Sequence, residues 1–220
     1  MRQWPRPCAT NARPTPRQFT KKTLRCRKSS RAEVPAPYQY DLDAAVAALG
    51  RGAVLACPTE AVWGLSCDPF DESAVTRLLQ LKQRPVEKGL ILVAADESQL
   101  DALLTHLDPE QRETLSSSWP GPNTWLVPHG GAVPAWISGE HATVAVRVTA
   151  HEGMAALCRG FGGPLVSTSA NPGGEPPATD ADQVLRYFED TLDGWLPGEL
   201  GDSSRPSTIR DLSSGQVIRA

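Results

Sequence analysis

Residues 164–174 read PLVSTSANPGG, and this stretch decides the fold. A short apolar run of strand length leads directly into three hydroxyls, an amide and a glycine pair. A strand that ends in this way brings small side chains and backbone N–H groups to one point, as binding a phosphate or carboxylate at a sheet edge requires. The same letters are also typical of a turn that leaves a buried strand. The surrounding sequence has to distinguish the two interpretations.

Helix and strand signals alternate on both sides of this stretch from about Tyr38 onward. Helices are predicted behind the capping residues Asp41, Asp71, Asp108 and Thr179, and at residues 151–159. Strands are predicted at residues 53–57, 90–94, 124–127 and 143–149, from Pro164, and in a closing hairpin of residues 207–212 and 216–219. This order predicts a single α/β domain with a mixed sheet over residues 38–220.

Composition is that of a globular enzyme or binding protein. The chain has 220 residues, of which 40% are hydrophobic and 21% charged. It contains no apolar run of about 18 residues, so we expect no membrane span. The five cysteines are odd in number and include no Cys-x-x-Cys pair, which indicates neither a disulfide framework nor a thiolate zinc site. We therefore expect a cytoplasmic protein.

The net charge of −3 conceals a division of the chain. Residues 1–37 hold ten Lys or Arg and one acid, a charge of +9, while the remainder carries −12. A basic, Pro- and Arg-rich segment without apolar periodicity cannot bury enough surface to fold alone, so residues 1–37 are predicted to be a disordered extension. Three interpretations stay open: an arm that binds nucleic acid, an organelle-type presequence, or upstream sequence included by a misplaced start.

A cluster of cations follows the second predicted helix. Lys82 and Arg84 flank one residue, Pro85 follows, and Lys88 comes three residues later. If Pro85 holds this segment extended, Lys82 and Arg84 point to the same side and form a clamp for a polyphosphate. The alternative is ordinary favourable charge at a helix C-terminus.

The strand at residues 143–149 alternates regularly. Its valines lie on one face, while Thr143, Arg147 and Thr149 share the other. An arginine in the middle of a sheet face requires an anion, which is either a ligand carboxylate or a structural acid. The sequence leaves these two possibilities open.

Residues 58–65 follow the first apolar strand and present Thr59, Glu60, Trp63 and Gly64. They suit either close approach of a small ligand or a strand exit with Trp63 in the core. Covalent and metal chemistry find no support, because the four histidines lack metal spacing and no nucleophile motif occurs. The recurring property of the chain is anion binding.

Together these motifs resemble the YrdC-like family, in its short bacterial form. The resemblance extends from about Leu42 to Arg219 and rests on six ordered motifs: Pro58-Thr59-Glu60, Lys82-x-Arg84-Pro85, Trp119-Pro120-Gly121-Pro122, Ala145-Val146-Arg147, Ser167-Thr168-Ser169-Ala170-Asn171 and Ser207-Thr208-Ile209.

The resemblance implies a twisted sheet of parallel and antiparallel strands with flanking helices, of the YrdC/RibB-like kind, around a concave basic cavity. It implies a nucleotidyltransferase that condenses L-threonine, bicarbonate and ATP to L-threonylcarbamoyl-AMP and pyrophosphate. That product would pass to threonylcarbamoyl-transfer proteins, which form t6A at position 37 of tRNAs that read ANN codons. Mg²⁺ is expected to arrive with the phosphates rather than on a protein-bound site.

The resemblance also implies roles for individual residues. The catalytic set would be Lys82, Arg84, Ser169 and Asn171. ATP would contact Arg84, Lys88, Thr143, Ser169, Asn171, Thr179 and Arg219. Threonine would contact Thr59, Arg147 and Ser207. Such a reaction depends on positioning and charge neutralisation more than on a protein nucleophile.

Four positions depart from the family pattern and concern the threonine pocket or its neighbourhood: Ala61, Trp63, Gly89 and Val93. Two other functions agree less well with the sequence. A double-stranded RNA-binding or ribosome-maturation factor needs net positive charge, which residues 38–220 lack. A carbamoyl-phosphate-handling protein of the hydrogenase-maturation type would carry zinc-finger cysteines, and the sequence has none in that spacing.

Overall fold

Ten strands form one mixed sheet within residues 38–188 and 191–220, which are the residues that the computed structural model describes. The strand order is β1-β8-β2-β3-β7-β4-β6-β5-β9-β10. Four neighbouring pairs are parallel, namely β1–β8, β2–β8, β4–β6 and β5–β9, and the other five are antiparallel. The predicted mixed α/β sheet is confirmed.

The strands are β1 (Tyr38–Gln39), β2 (Leu55–Pro58), β3 (Trp63–Ser66), β4 (Ile91–Ala94), β5 (Asn123–Pro128), β6 (Thr143–Val148), β7 (Leu165–Ser169), β8 (Gly194–Trp195), β9 (Thr208–Asp211) and β10 (Val217–Arg219). The helices are α1 (Leu42–Leu49), α2 (Glu72–Lys82), α3 (Asp101–Leu104), α4 (Pro109–Ser118), α5 (Ala135–Ser138), α6 (Glu152–Phe161) and α7 (Ala181–Phe188). Short 3₁₀ turns cover Val86–Lys88 and Glu97–Leu100.

Alternation along the strands divides the interior into two cores. Leu92 of β4 packs with the larger cluster, which includes residues of α2, α4 and α7, whereas its neighbour Val93 packs with α1 and α6 on the opposite face. On β6, Val144, Val146 and Val148 all belong to the larger cluster, as the alternation predicts. Because α1 and α6 cover only part of their face of the sheet, the remainder is free to form a site.

Helix starts follow the predicted capping residues with one correction. Asp41 accepts a hydrogen bond from Ala44 N at 2.8 Å, and Asp108 forms a full capping box with Gln111. At α7 the predicted cap, Thr179, is wrong. Asp180 Oδ1 accepts from Gln183 N at 2.7 Å instead, so the carboxylate one residue later satisfies the orphan N–H.

Two local expectations are corrected by the backbone. Of the two interpretations of residues 58–65, the strand exit is right about Trp63, which is in the core, but wrong about the backbone, because Trp63–Ser66 turns back as β3 and pairs antiparallel with β2. Lys82 is the last residue of α2, and Gln83 has φ 51° and ψ 41°, so the chain is not extended between Lys82 and Arg84. The prediction for residues 1–37 lies outside the described residues. No helix in the described part of the chain is long and apolar enough to cross a membrane.

Candidate functional site

A cavity of about 410 Å³ opens on the sheet face that α1 and α6 leave uncovered. Its floor comes from neighbouring strands and consists of small or short side chains. Ser167 of β7 is in register with Ile91 of β4, which is in register with Ala145 of β6, and Gly64 of β3 pairs with Ser169. A Cβ at Gly64 would lie 3.3 Å from the carbonyl oxygen of Thr168, so larger side chains are excluded there. The predicted cavity is present.

The described lining of this cavity is strongly basic. It includes Arg84, Lys88, Arg147 and Arg219 but only one acid, Glu60. Burial and the nearby Arg219 lower the pKa of Arg84, and burial and Arg147 lower the pKa of Arg219. These shifts indicate that the cations converge on one volume, where an anionic ligand relieves their mutual repulsion.

Lys82, Ser169 and Asn171 form a hydrogen-bonded cluster at one end of the cavity. The Lys82 ammonium donates to the Ser169 carbonyl oxygen, and it lies 3.0 Å from Asn171 O and 3.3 Å from Asn171 Oδ1. The Ser169 hydroxyl donates to Asn171 Oδ1 at 2.6 Å. Lys82 is only 5% exposed, and burial together with Arg84 lowers the pKa of Lys82 to about 8. Of these three residues only Ser169 lines the cavity. Lys82 and Asn171 contact Ser169 from outside the lining.

Arg84 precedes the 3₁₀ turn Val86–Lys88, which leads into β4, and its side chain contacts the end of that turn. The Arg84 guanidinium donates to Gly89 O at 2.9 Å and to Lys88 O at 3.3 Å, which shapes the turn around both cations. Gly89 has φ 62° and ψ 174°, a conformation open essentially to glycine alone. Proline, with φ near −65°, cannot adopt it, which explains the departure from the family pattern at this position.

Arg147 and Glu60 form a buried ion pair at the other end of the cavity. Arg147 Nη2 lies 3.3 Å from Glu60 Oε2, and the two side chains are 8% and 7% exposed. Glu60 Oε1 accepts from Thr149 Oγ1 at 2.6 Å and from Ala150 N at 3.3 Å. Of the two possibilities that the sequence left open for Arg147, the structural acid is present. Arg147 still lines the cavity, so it can also face a ligand anion.

Ser207 and Arg219 close the wall beside Arg147. The Ser207 hydroxyl lies 2.8 Å from Thr124 Oγ1 and is buried, and Arg219 Nη2 donates to Ser207 O at 2.8 Å. Thr59 also lines the cavity, and its hydroxyl donates to Val62 O at 2.7 Å, which closes the β2–β3 turn. Thr143 lies on the floor at the start of β6.

Two of the residues considered in the sequence analysis, Thr179 and Val93, are not part of the described cavity lining. Thr179 is exposed, its N–H donates to Gln183 Oε1 at 3.0 Å, and it is not among the residues that line the cavity. Val93 is fully buried in the core under α1 and α6, so its departure from the family pattern does not alter the described lining. The other two departures in the threonine pocket, Ala61 and Trp63, do line the cavity.

The site residues predicted from the sequence leave out several polar residues of the lining, among them Ser167, His141 and Glu60. Ser167 could have been found, because alternation puts it on the same face of β7 as Ser169. His141 precedes β6 in a segment without a local signal. Glu60 was recognised only as an exposed carboxylate, although it lies buried against Arg147.

Among the described residues, neither a reactive thiol nor a cluster of metal ligands indicates a site other than this cavity. Burial raises the pKa of the Cys57 thiol to about 12, and it raises the pKa values of Cys67 and Cys158 as well. Cys57, Cys67 and Cys158 are buried thiols outside the cavity lining. In the described part of the chain no group of three or more His, Cys, Asp and Glu is placed to hold a metal ion.

Comparison with known proteins agrees with this geometry. Two curated relatives, both called threonylcarbamoyl-AMP synthase, come from Pseudomonas paraeruginosa and Cellvibrio japonicus. They are 59% and 57% identical over 169 residues, which is 77% of this chain and 91% and 89% of theirs. The solved structure of Sua5 from P. abyssi, a complex with L-threonine, is 33% identical with a TM-score of 0.74. It covers 80% of this chain, which in turn spans 52% of that Sua5 chain.

A family model extends the match over most of the chain. The model for Sua5, YciO and YrdC, which is described as "Telomere recombination", matches residues 47–220. The predicted resemblance is confirmed, and the chain belongs to the Sua5/YciO/YrdC family.

Proposed function

We propose that this chain is a threonylcarbamoyl-AMP synthase, a nucleotidyltransferase that condenses L-threonine, bicarbonate and ATP to L-threonylcarbamoyl-AMP and pyrophosphate. The observation that carries the proposal is the distribution of charge along one cavity. Arg84 and Lys88 lie at one end and the Arg147–Glu60 pair at the other. The names of the relatives that are 57–59% identical support it.

The end with Arg84, Lys88, Thr143 and Ser169 suits the ATP phosphates. Arg84 and Lys88 supply charge. The Ser169 hydroxyl donates to Asn171 Oδ1 in this structure, and it can donate to a phosphate oxygen when it turns from that amide to the ligand. Arg219 reaches the cavity from the last strand and would cover the nucleotide. Thr179 is proposed as a more distant nucleotide contact on the strength of the family resemblance alone.

The end with Arg147, Ser207 and Thr59 suits the amino acid. A guanidinium with one partner on one side can still pair with the threonine carboxylate, and the Ser207 and Thr59 hydroxyl oxygens lie beside it. In this position the uncharged amine adds to carbon dioxide, which bicarbonate supplies by losing hydroxide, and the displaced amine proton neutralises that hydroxide, so a carbamate and water form. A carbamate oxygen then attacks the α-phosphorus, and the bond to the bridging oxygen breaks as pyrophosphate leaves.

The protein contributes positioning and charge to these steps rather than a nucleophile. Cations at fixed positions stabilise the charge that develops on the leaving pyrophosphate, and they need no reorganisation during the reaction. The one acid of the described lining, Glu60, is engaged by Arg147 and Thr149, so it offers no free carboxylate for Mg²⁺. We therefore expect Mg²⁺ to enter bound to the phosphates of ATP, which is a substrate.

We further propose that the enzyme acts in the cytoplasm and that its labile product passes to threonylcarbamoyl-transfer proteins, which modify ANN-decoding tRNAs. Direct binding of tRNA or double-stranded RNA stays a prediction. The charge of −12 on residues 38–220 opposes strong non-specific contact with a polyanion.

The test is reconstitution of the reaction with the purified full chain. Pyrophosphate release should require threonine, bicarbonate and ATP together, and L-threonylcarbamoyl-AMP should accumulate in equal amount. Serine serves as the control amino acid and should react more slowly. Pyrophosphate release at the same rate without threonine would contradict the assignment.

A further inference from the structure

The two ends of the cavity differ in how their cations are paired. Arg84 donates to the carbonyl oxygens of Lys88 and Gly89, which are neutral partners and leave its charge uncompensated. Arg147 faces the carboxylate of Glu60, which compensates its charge, while Arg219 lies within electrostatic range of both Arg84 and Arg147. The Arg84–Lys88 segment precedes β4 and lies level with the start of β6, whereas Arg147 pairs with Val93 further along the same two strands. Thr143 and Arg147 are four residues apart on one face of β6, so at about 3.3 Å per residue their backbones lie about 13 Å apart.

Glu60 is held in place independently of Arg147. Its Oε1 is fixed by Thr149 Oγ1 and Ala150 N, as described above, and its backbone is fixed by the segment after β8. Gly201 N donates to Thr59 O and Ser203 N donates to Glu60 O, both at 3.0 Å, and a Cβ at Gly201 would lie 3.0 Å from Glu60 Cα. The carboxylate is therefore a fixed charge and not a mobile surface group.

A fixed carboxylate beside Arg147 determines which anions bind favourably at that end of the cavity. A polyphosphate carries several negative charges close together, so it is attracted by Arg147 and repelled by Glu60 at nearly the same distance. Threonine enters as a zwitterion without net charge, and it carries one negative charge once its amine is deprotonated, so its carboxylate can pair with Arg147 with far less repulsion from Glu60 than a polyphosphate meets. The buried position of both side chains reduces solvent screening and strengthens the contrast.

We infer that Glu60 is a specificity-determining residue that excludes phosphate groups from the Arg147 end of the cavity and so assigns each anionic substrate to its own end. This inference rests on the proposed function, because it assumes that both substrates occupy one cavity. It does not require Glu60 to touch either substrate: its Oε2 atom is fully buried against Arg147.

Calorimetric titration of the full chain with sodium tripolyphosphate tests the inference without turnover. The wild-type protein should bind one equivalent. Glu60→Gln should bind a second equivalent, with an affinity at least about tenfold above any second binding in the wild type. The double variant Glu60→Gln/Arg147→Met should lose that second equivalent. Glu152→Gln, which removes an exposed charge at the start of α6, is the matched control and should bind one. One equivalent in Glu60→Gln would overturn the inference.

Inhibition kinetics provide a second test, and their wild-type part needs no variant. Tripolyphosphate should compete with ATP but not with threonine, whereas in Glu60→Gln it should compete with both. Competition with threonine in the wild type would overturn the inference. Absence of threonine-dependent pyrophosphate release would instead count against the proposed function, and the titration would still report on Glu60.

Discussion

Lys82 Nζ lies 3.3 Å from Asn171 Oδ1, although the two residues are 89 positions apart in the chain. This contact joins the end of α2 to the turn after β7. The same amide oxygen accepts the Ser169 hydroxyl proton, so the buried ammonium determines, through Asn171, where the Ser169 hydroxyl points. Ser169 is the member of this cluster that reaches the cavity, and the other two act as positioning residues.

The lowered pKa of Lys82 makes a prediction about stability. Its ordinary value of 10.5 falls to about 8 in the folded chain, mainly because of burial. Between pH 8 and 10.5 the unfolded chain binds more protons at this residue, so stability should rise with pH in that window. Relative to Lys82→Met, the wild-type free energy of unfolding should increase by up to about 3 kcal/mol. Urea denaturation at several pH values measures the difference.

The matched control for that series is Lys88→Met, which removes an exposed lysine from the same region. Its stability difference from the wild type should show a much smaller change over the same pH range. A wild-type curve parallel to that of Lys82→Met would contradict the prediction.

Arg84→Ala should weaken ATP binding while the fold survives. Loss of a charged hydrogen-bond donor of this kind costs about 1.5–3 kcal/mol, or about 10- to 100-fold in Kd. The side chain also donates to the carbonyls of the Lys88–Gly89 turn, so a loss of about 1 kcal/mol of stability is expected as well. Titration with ATP and thermal denaturation measure the two effects. Arg186→Ala, an exposed change on α7, is the control, and global unfolding of Arg84→Ala would show that the clamp is structural.

Arg147→Lys should weaken the binding of threonine much more than the binding of ATP. Lysine keeps a charge beside Glu60 but loses the planar pair of donors that matches a carboxylate. The KM for threonine should rise about tenfold or more, while the KM for ATP changes less than about twofold. Arg159→Lys on the exposed end of α6 is the control. An equal rise of both KM values would contradict the assignment of Arg147 to threonine.

Gly89→Ala should destabilise the chain more than Gly130→Ala. Both glycines have positive φ, 62° and 53°, but a Cβ at Gly89 would lie 3.1 Å from Ser138 O, whereas nothing lies within 4 Å at Gly130. We expect a loss of about 2–3 kcal/mol for Gly89→Ala and of about 1 kcal/mol for Gly130→Ala. Chemical denaturation measures both, and equal losses would mean that the close contact at Gly89 contributes nothing.

Removal of residues 1–37 should leave the kcat/KM for the three-substrate reaction within about twofold, because the described residues of the cavity lining, from Thr59 to Arg219, already include the proposed contacts to ATP phosphates and threonine. It should also remove a net charge of +9 and thereby weaken salt-dependent binding to RNA. A large loss of synthesis would show that this segment takes part in the reaction.

The sequence predicted most of the elements that place the site because their signals are local. Capping acids start α1, α2 and α4, and the alternation on β6 separates the valines from Arg147. What it missed depends on contacts between distant residues. Glu60 becomes the partner of Arg147 only when the β2–β3 turn packs against the end of β6, and Lys82 meets Asn171 only when the end of α2 packs beside the turn after β7. No local pattern encodes either contact.

The sheet order affects when enzymatic activity returns during refolding. Gly64 and Arg219 line one cavity, yet they lie on β3 and β10 and are separated by most of the folded chain. Closing so long a loop is entropically costly and delays the contacts that depend on it. Catalysis should therefore return late during refolding from denaturant, after helix formation is complete, so that enzymatic activity reports the final assembly of the domain.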